Sequence, residues 1–461
     1  MTATSFSVAG KRVVVVGAAR SGVAAAVLLV RRGAVVTLTD VRPQIDADAE
    51  LQAAGVSLEL GGHRRDTLLA ADLIVLSPGV PPAQPAIAEA RAAGVPVIGE
   101  LELASRWLRG RIVAITGTKG KSTTTTLAGR MLEAGGHRVL VGGNIGHALS
   151  AQVEQSIEDT IHVIEASSFQ LESADTFHPW IAVLLNFSPD HLDRHADIAE
   201  YAAAKARLFA RQTAADWAVL NADDEPSHML AQEARSQRLP FAVEQALAEG
   251  IVVANDAIVR RQAGVDQPLV PLSAVKLLGR HLLADVLAAA AVASIAGVEP
   301  AAMTRAVEGF TGLEHALEPV AEFGGVRFVN DSKATNIESA LRAVESFAPG
   351  LVVILGGRFK GGDFADLRNA LRERLASVVA IGESAPLVEG ALAASVPVHQ
   401  GGRDLSAAVR MAFALASPGQ TVLLAPACSS FDMFRDYAER GRTFKNEVKK
   451  LEEEWRRGRT H

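Results

Sequence analysis

The chain has 461 residues, 49% hydrophobic and 21% charged, with 46 Lys and Arg against 52 Asp and Glu and a formal net charge of −6. That length outgrows a single core and calls for two to four domains of about 150 residues each. The composition excludes a disordered chain, and the acidic balance argues against a nucleic-acid partner. One cysteine, Cys428, excludes an internal disulfide and points to a reducing, cytoplasmic compartment, and the N-terminus lacks the charged–apolar–cleavage pattern of a secretory signal.

Short β-branched runs recur along the chain: Val13–Val16, Leu73–Leu76, Ile112–Ile115, Val163–Glu165, Ala182–Asn186, Val352–Leu355, Val378–Ile381 and Val422–Ala425. Most end at or just before Gly, Ser, Asn or Asp, and Ala/Leu/Arg-rich segments with helical spacing lie between. Strand–helix alternation predicts an α/β fold with doubly wound parallel sheets, in which ligands bind beyond the carboxyl ends of the strands. Soft boundaries divide the chain into three domains, 1–105, 106–312 and 313–461. The longest apolar stretch, Leu282–Val298, is Ala-rich and carries Asp285, which predicts a buried helix and no membrane insertion.

The first run opens onto Gly17-Ala18-Ala19-Arg20-Ser21-Gly22. This is the dinucleotide fingerprint with Ala19 in place of the middle Gly. A methyl there crowds a pyrophosphate, which disfavours a nicotinamide cofactor and a dehydrogenase, while the helix N-terminus still suits a phosphate group. Asp40 follows about twenty residues on, where a carboxylate can accept hydrogen bonds from a ribose or base.

The stretch Ile112–Thr123 reads IVAITGTKGKST. An apolar strand opens onto Gly117, Thr118, Lys119, Gly120, Lys121, Ser122 and Thr123, the components of a phosphate loop. Glycines let backbone N–H groups approach the phosphates, Lys121 reaches the β and γ oxygens, and a hydroxyl ligates Mg²⁺. The first Gly of the usual pattern is displaced, with Ile115 in its place. Downstream come Gly142-Gly143-Asn144-Ile145-Gly146, Glu165-Ala166-Ser167-Ser168-Phe169-Gln170-Leu171-Glu172, Asn186-Phe187-Ser188-Pro189-Asp190-His191-Leu192-Asp193-Arg194-His195, and Tyr201 with Lys205. Glu165, at a strand end, offers the hard oxygen that Mg²⁺ prefers. The last third adds Asn330-Asp331-Ser332-Lys333-Ala334-Thr335-Asn336, a Gly356–Phe364 loop and Pro426-Ala427-Cys428-Ser429-Ser430.

Taken together and in this order, these motifs resemble the Mur ligase family, ATP-dependent amide-bond formers of peptidoglycan assembly. The last-third motifs are most similar to its D-glutamate-adding branch. The resemblance implies Rossmann-like first and third domains around a central ATPase-type domain with a parallel or mixed sheet. It implies that UDP-N-acetylmuramoyl-L-alanine is activated by ATP as an acyl phosphate and then captured by D-glutamate. Catalytic roles fall on Lys121, Glu165, His191 and Lys205, with two Mg²⁺ held by Ser122, Glu165, His191 and Lys205 as its carbamate. Asp331 joins the phosphate loop in binding ATP. Arg20, Ser21, Asp40, Arg42, Ser77 and Asn144 are assigned to the UDP substrate. Lys333, Thr335, Lys360, Ser430 and Tyr437 are assigned to D-glutamate. A monomer is implied. Other branches, a folylpolyglutamate-type ligase or a non-catalytic nucleotide-binding relative are the alternatives; intact Lys121, Glu165, His191 and Lys205 argue against the last.

Departures from the family pattern cluster on the ATP side. Gly279-Arg280-His281-Leu282-Leu283-Ala284-Asp285 stands where the family has two Asn that address adenine. His315 is followed by Ala316 instead of Arg, and Arg358 replaces a residue that is often acidic. Leu282 cannot hydrogen-bond and ionised Asp285 only accepts. The expected outcome is weakened adenine discrimination, with GTP, CTP or UTP supporting measurable turnover; strict dependence on ATP in a nucleotide panel would refute it.

Overall fold

The computed structural model describes residues 6–190, 194–276, 280–310 and 312–458, with the side chains of Asp48, Arg280 and His281 set aside. Three sheets follow one another along the chain. The first comprises β1 (Arg12–Val16), β2 (Val35–Asp40), β3 (Ser57–Leu60), β4 (Leu73–Leu76) and β5 (Val97–Gly99), in the order β3-β2-β1-β4-β5. All its pairings are parallel.

The second sheet is built from β6 (Arg111–Thr116), β7 (Arg138–Gly143), β8 (Thr160–Glu165), β9 (Ile181–Leu184), β10 (Trp217–Asn221), β11 (Gln237–Ala242), β12 (Gly250–Ala254), β13 (Ala257–Gln262) and β14 (Val265–Pro271). Its order is β14-β13-β12-β11-β10-β9-β6-β8-β7. It is parallel from β7 across to β12 and then turns antiparallel through β13 and β14, so the sheet is mixed. The third sheet has β15 (Glu318–Phe323), β16 (Val326–Asn330), β17 (Leu351–Gly356), β18 (Ser377–Ile381), β19 (Val398–Gly402) and β20 (Thr421–Leu424), ordered β15-β16-β20-β17-β18-β19. Only its edge strand β15 is antiparallel.

Each apolar run that the sequence marked is a strand here. The runs are buried on both faces because helices cover both sides of a parallel sheet. The helix Arg280–Ile295 accounts for the long apolar stretch; Val286–Ala293 are wholly buried, and no described helix is long and apolar enough to cross a membrane. The chain divides into two compact units. One holds the first two sheets, with residues up to Val275 and Ala284–Gly309; the other holds the third sheet, with Lys276–Leu283 and the chain from Phe310.

In the first unit, two buried acids on the helix Glu100–Ser105 face opposite fates. Glu102 accepts the N–H groups of Asp175, Thr176 and Phe177 and pairs with Arg106. Glu100 accepts the Ser150 N–H at 2.6 Å through Oε1, while its buried Oε2 has no hydrogen-bond partner. Burial raises its pKa above the ordinary carboxylate value. The native state therefore binds this proton more tightly than the unfolded chain does. The ionisation penalty is absent at low pH and grows as pH rises from the unfolded carboxylate range through the native pKa. Glu100→Gln is expected to raise stability at pH 8 by about 1 kcal/mol and to lose that advantage near pH 4. Thermal melting at both pH values reads this out, and an equal or lower melting temperature for the variant at pH 8 would contradict it.

Candidate active site

Strand β6 lies between β8 and β9, so three parallel strand ends meet at one place. The phosphate loop leaves β6 there. Gly117 and Gly120 adopt φ of 155° and 83°, conformations that L side chains resist. Gly120 caps the helix Lys121–Ala134, and a Cβ on it would overlap the Asp285 carboxylate. That helix presents its N-terminal amides, and the positive end of its dipole, beyond the strand.

Asn186, just past β9, braces this loop. Its Oδ1 accepts the N–H groups of Thr118 (3.1 Å) and Lys119 (2.8 Å), and its Nδ2 donates to the Lys119 carbonyl. Thr118 Oγ1 donates to Ser188 O, accepts the Ser188 N–H and lies 3.2 Å from the Tyr201 hydroxyl. Lys119 pairs with Asp190 at 3.5 Å. Lys121 folds back over the loop and donates to the carbonyls of Gly117 and Thr118, both at 2.9 Å. Ser122 and Thr123 begin the helix beside it.

Lys205, from the helix Ile198–Ala206, reaches the same Gly117 carbonyl at 2.8 Å and Thr116 Oγ1 at 3.4 Å. Its ammonium lies 4.7 Å from the Tyr201 ring. The side chain is 1% exposed, and burial, reinforced by the charge on Lys121, pushes its pKa well below the ordinary lysine value. Glu165 ends β8 in register with Ile115. Its Oε1 accepts from Asn144 Nδ2 at 2.8 Å, while its Oε2 is buried with no hydrogen-bond partner. The structure thus brings Lys121, Glu165, Lys205 and Asn144 to neighbouring strand ends. His191 lies outside the described residues, and among the described residues no three His, Cys, Asp or Glu side chains gather into a metal cage.

Around the first sheet, Gly17 and Gly22 allow the helix Arg20–Arg31 to approach β1 so closely that a Cβ on Gly22 would overlap the Gly17 carbonyl. Asp40 accepts the Ala18 N–H through Oδ2 and a two-pronged contact from Arg42 at 2.9 Å in each arm. The Arg42 guanidinium holds its pKa far below the carboxylate range. Both Asp40 oxygens are thus already engaged, and Arg42, half exposed, carries the free surface of the pair. Ser77 Oγ donates to Gly17 O, and Arg20 donates to Gly146 O at 3.3 Å. Arg20 and Arg42 line a groove of about 710 Å³ beside the loop, a size that suits a ligand moiety. Ser21 lies half-buried in the first turn of the helix.

In the second unit, the nominated residues sit on three loops at the carboxyl ends of β16, β17 and β20. Lys333 and Thr335 follow β16, Lys360 follows β17, and Ser430 follows β20. Lys360 Nζ reaches Thr335 Oγ1 at 3.5 Å. The loops are laced together: Ala427 N–H donates to Ala334 O, and Arg358 and Ser429 exchange backbone hydrogen bonds at 2.9 and 3.0 Å. Tyr437 is 40% exposed and stands edge-on to His315. Asp331 is buried, with Oδ1 accepting the Leu317 N–H. Arg358 pairs with Glu383 at the surface, and Leu282 packs into this unit's core.

For Asn186, whose bracing role only the structure reveals, the signal in the sequence is a polar side chain just past a strand that neighbours the phosphate-loop strand. Arg440 was not singled out. It is 1% exposed, and burial pushes its pKa down to about 10, so it remains a cation at neutral pH. Cys428 is fully buried beside Ser384, and burial pushes its thiol up to about 11.

Three family descriptions match successive parts of the chain. Mur ligase MurD-like, N-terminal domain, covers residues 11–99, Mur ligase middle domain 115–293, and Mur ligase, glutamate ligase domain, 317–428. A UDP-N-acetylmuramoylalanine–D-glutamate ligase from Acidobacterium capsulatum is 46% identical over 444 residues, 95% of this chain and 96% of the relative. A ligase of the same name from Koribacter versatilis is 43% identical over 452 residues, 97% and 99% of the two chains. Among solved structures, the UDP-N-acetylmuramate–alanine ligase of Thermotoga maritima superposes with a TM-score of 0.61 at 18% identity, over 96% of this chain and all of that one. A pseudomurein peptide ligase from Methanothermus fervidus gives 0.60 at 18%, over the same shares. At that identity the superpositions speak for the fold alone. With three domains of one family matched in order and relatives this similar over nearly the whole length, the chain belongs to the Mur ligase family.

Proposed function

We propose that the protein joins D-glutamate to UDP-N-acetylmuramoyl-L-alanine with ATP, as a monomeric cytoplasmic enzyme with functional domains 1–105, 106–312 and 313–461. The observation that carries this reading is the near-full-length similarity to ligases named for that reaction. The braced phosphate loop and the charges beside it support it.

The substrate carboxylate attacks the γ-phosphorus and ADP leaves, giving an acyl phosphate. The D-glutamate amine then attacks the acyl carbon, phosphate leaves, and the amide remains. A carboxylate needs this activation because oxide is a poor leaving group, and catalysis consists mainly of positioning and charge neutralisation. The amides of Gly120–Thr123 and the Lys121 ammonium receive the triphosphate, on a loop whose Thr118 and Lys119 N–H groups are held by Asn186. Mg²⁺, when bound, would neutralise phosphate charge. The buried, unpartnered Oε2 of Glu165 fits a hard cation, with the Ser122 hydroxyl proposed as a ligand of the same ion and His191 of a second. Arg20, Ser21, Arg42 and Ser77 address the UDP end, with Asp40 orienting Arg42, while Asn144 serves the muramoyl-alanine end. Lys333 and Lys360 match the two carboxylates of D-glutamate, helped by the Thr335 and Ser430 hydroxyls and the Tyr437 ring.

Lys205 is proposed to act as its carbamate. Burial favours the neutral amine, whose lone pair attacks the carbon of CO₂; the nitrogen then loses a proton, leaving an anionic carbamate where an amine stood.

Phosphate release from ATP with UDP-N-acetylmuramoyl-L-alanine should be stimulated by D-glutamate alone among a panel of D- and L-amino acids, with a product of matching mass. Stimulation by another amino acid would keep the family and replace the substrate. Lys205→Ala should lower turnover by about 10²-fold or more. Wild-type activity should fall in CO₂-depleted buffer and return with bicarbonate, while the variant's residual rate stays flat. Full turnover in Lys205→Ala would dispose of the carbamate.

A further inference from the structure

The C-terminal helix Tyr437–Gly458 carries one basic residue unlike its neighbours. Arg440 is buried, and among the described residues no carboxylate hydrogen-bonds to it or pairs with it; Asp432 acts on it only at longer range. Its partners belong to the ends of two strands. Nε donates to Ser332 Oγ at 2.9 Å and Nη2 to Ser332 O at 2.9 Å. Nη1 and Nη2 both donate to Cys428 O at 3.1 Å. A third loop abuts the same group: a methyl on Gly357 would come within 3.3 Å of Nη1.

These contacts fix peptide planes. The carbonyls of Ser332 and Cys428 turn toward the guanidinium, so the N–H groups across the same trans peptides turn away. There the Lys333 N–H meets His315 O and the Ser429 N–H meets Arg358 O. Each plane is thus pinned from both sides, immediately before Lys333 in one loop and two residues before Ser430 in the other. Ser332 Oγ also donates to Tyr437 O at 2.7 Å, which ties a fourth nominated position to the same hub. A lysine cannot reproduce a planar fork with five donors, and the positive charge is not cancelled by a bonded acid.

We propose that Arg440 is the positioning residue of the amino-acid site, a single buried guanidinium that sets the three loops bearing Lys333, Thr335, Lys360 and Ser430 and gives that crevice the positive potential a dicarboxylate needs. This rests on the D-glutamate reading above. Arg440 touches no substrate itself. Its influence passes through the loops and through its field, which is strong because the surroundings are dry.

The test compares wild type with Arg440→Gln, Arg440→Lys and the milder Ser332→Ala, measuring KM for ATP, UDP-N-acetylmuramoyl-L-alanine and D-glutamate separately. Arg440→Gln should raise KM for D-glutamate by about 10-fold or more and leave the other two within about 2-fold. Arg440→Lys, which keeps the charge and loses the fork, should fall between. Ser332→Ala should move the same constant by a few-fold and serves if the Arg440 variants fail to fold. Three KM values that move together, or an unchanged KM for D-glutamate in Arg440→Gln or in Ser332→Ala, would overturn the proposal. If wild type answers to a different amino acid, the D-glutamate reading fails, and the same split in that amino acid's KM decides the role of Arg440 independently.

Discussion

Among the described residues two basic side chains, Lys205 and Arg440, are buried without a bonded carboxylate, and the loops around each are arranged to meet that constraint. Lys205 rests on the Gly117 carbonyl and Thr116 hydroxyl, and Arg440 rests on Ser332 and Cys428. Removing an ion from water costs several kcal/mol even after relaxation, and carbonyl dipoles recover only part of it. Such groups persist where a large anion or a covalent change completes the balance. The reaction supplies both kinds of completion, since every substrate it joins is anionic and the protein itself carries a net negative charge. Lys121, Lys333 and Lys360 accordingly stand just beyond the carboxyl ends of strands, where local positive charge can meet an anion.

Parallel strands make that concentration possible. Their carboxyl ends release the chain into loops whose amides and carbonyls are unspent, and neighbouring strands deliver residues distant in sequence to adjacent points. Ile115 and Glu165 are partners across β6 and β8, and Val183 of β9 lies on the other side of Ile115. The phosphate loop, the acid and the bracing Asn186 therefore come together through sheet register alone. The third sheet repeats the plan with β16, β20 and β17 as neighbours, and strain is accepted there. Ala427 has φ of 59° in the loop that ends at Ser430, a conformation worth about 1–3 kcal/mol for a residue with a Cβ.

What the sequence made legible was local. The β-branched runs marked β1, β4, β6, β8, β9, β17, β18 and β20, and Gly117–Thr123 stood out as a phosphate-loop candidate because backbone approach demands glycine at stated positions. Strand β12 was missed although GIVVA is a continuous apolar run, while β13 and β14, toward the edge of the sheet, mix apolar residues with Arg, Gln or Asp and so lack the continuous run of a buried parallel strand. Asp40 read as a ligand for ribose, yet the fold gives its oxygens to Ala18 and Arg42. Leu282 read as a gap in an adenine site and proves to be a core residue of the second unit. Arg440 was invisible for a related reason. It stands in a helix crowded with Glu, Lys and Arg, where any one basic residue looks solvated, and only tertiary contact with the ends of β16 and β20 distinguishes it.

Cys428 has a practical meaning of a different kind. The only thiol in 461 residues is sealed behind the strand ends, and its pKa, near 11, keeps the thiolate scarce at neutral pH. The protein is therefore close to blank toward maleimide reagents. Two cysteines placed on exposed helices, one in each unit, would carry a donor and an acceptor dye with almost no background labelling. Distance changes as each substrate is added in turn would then be read from a chain in which no native residue had been replaced at the site.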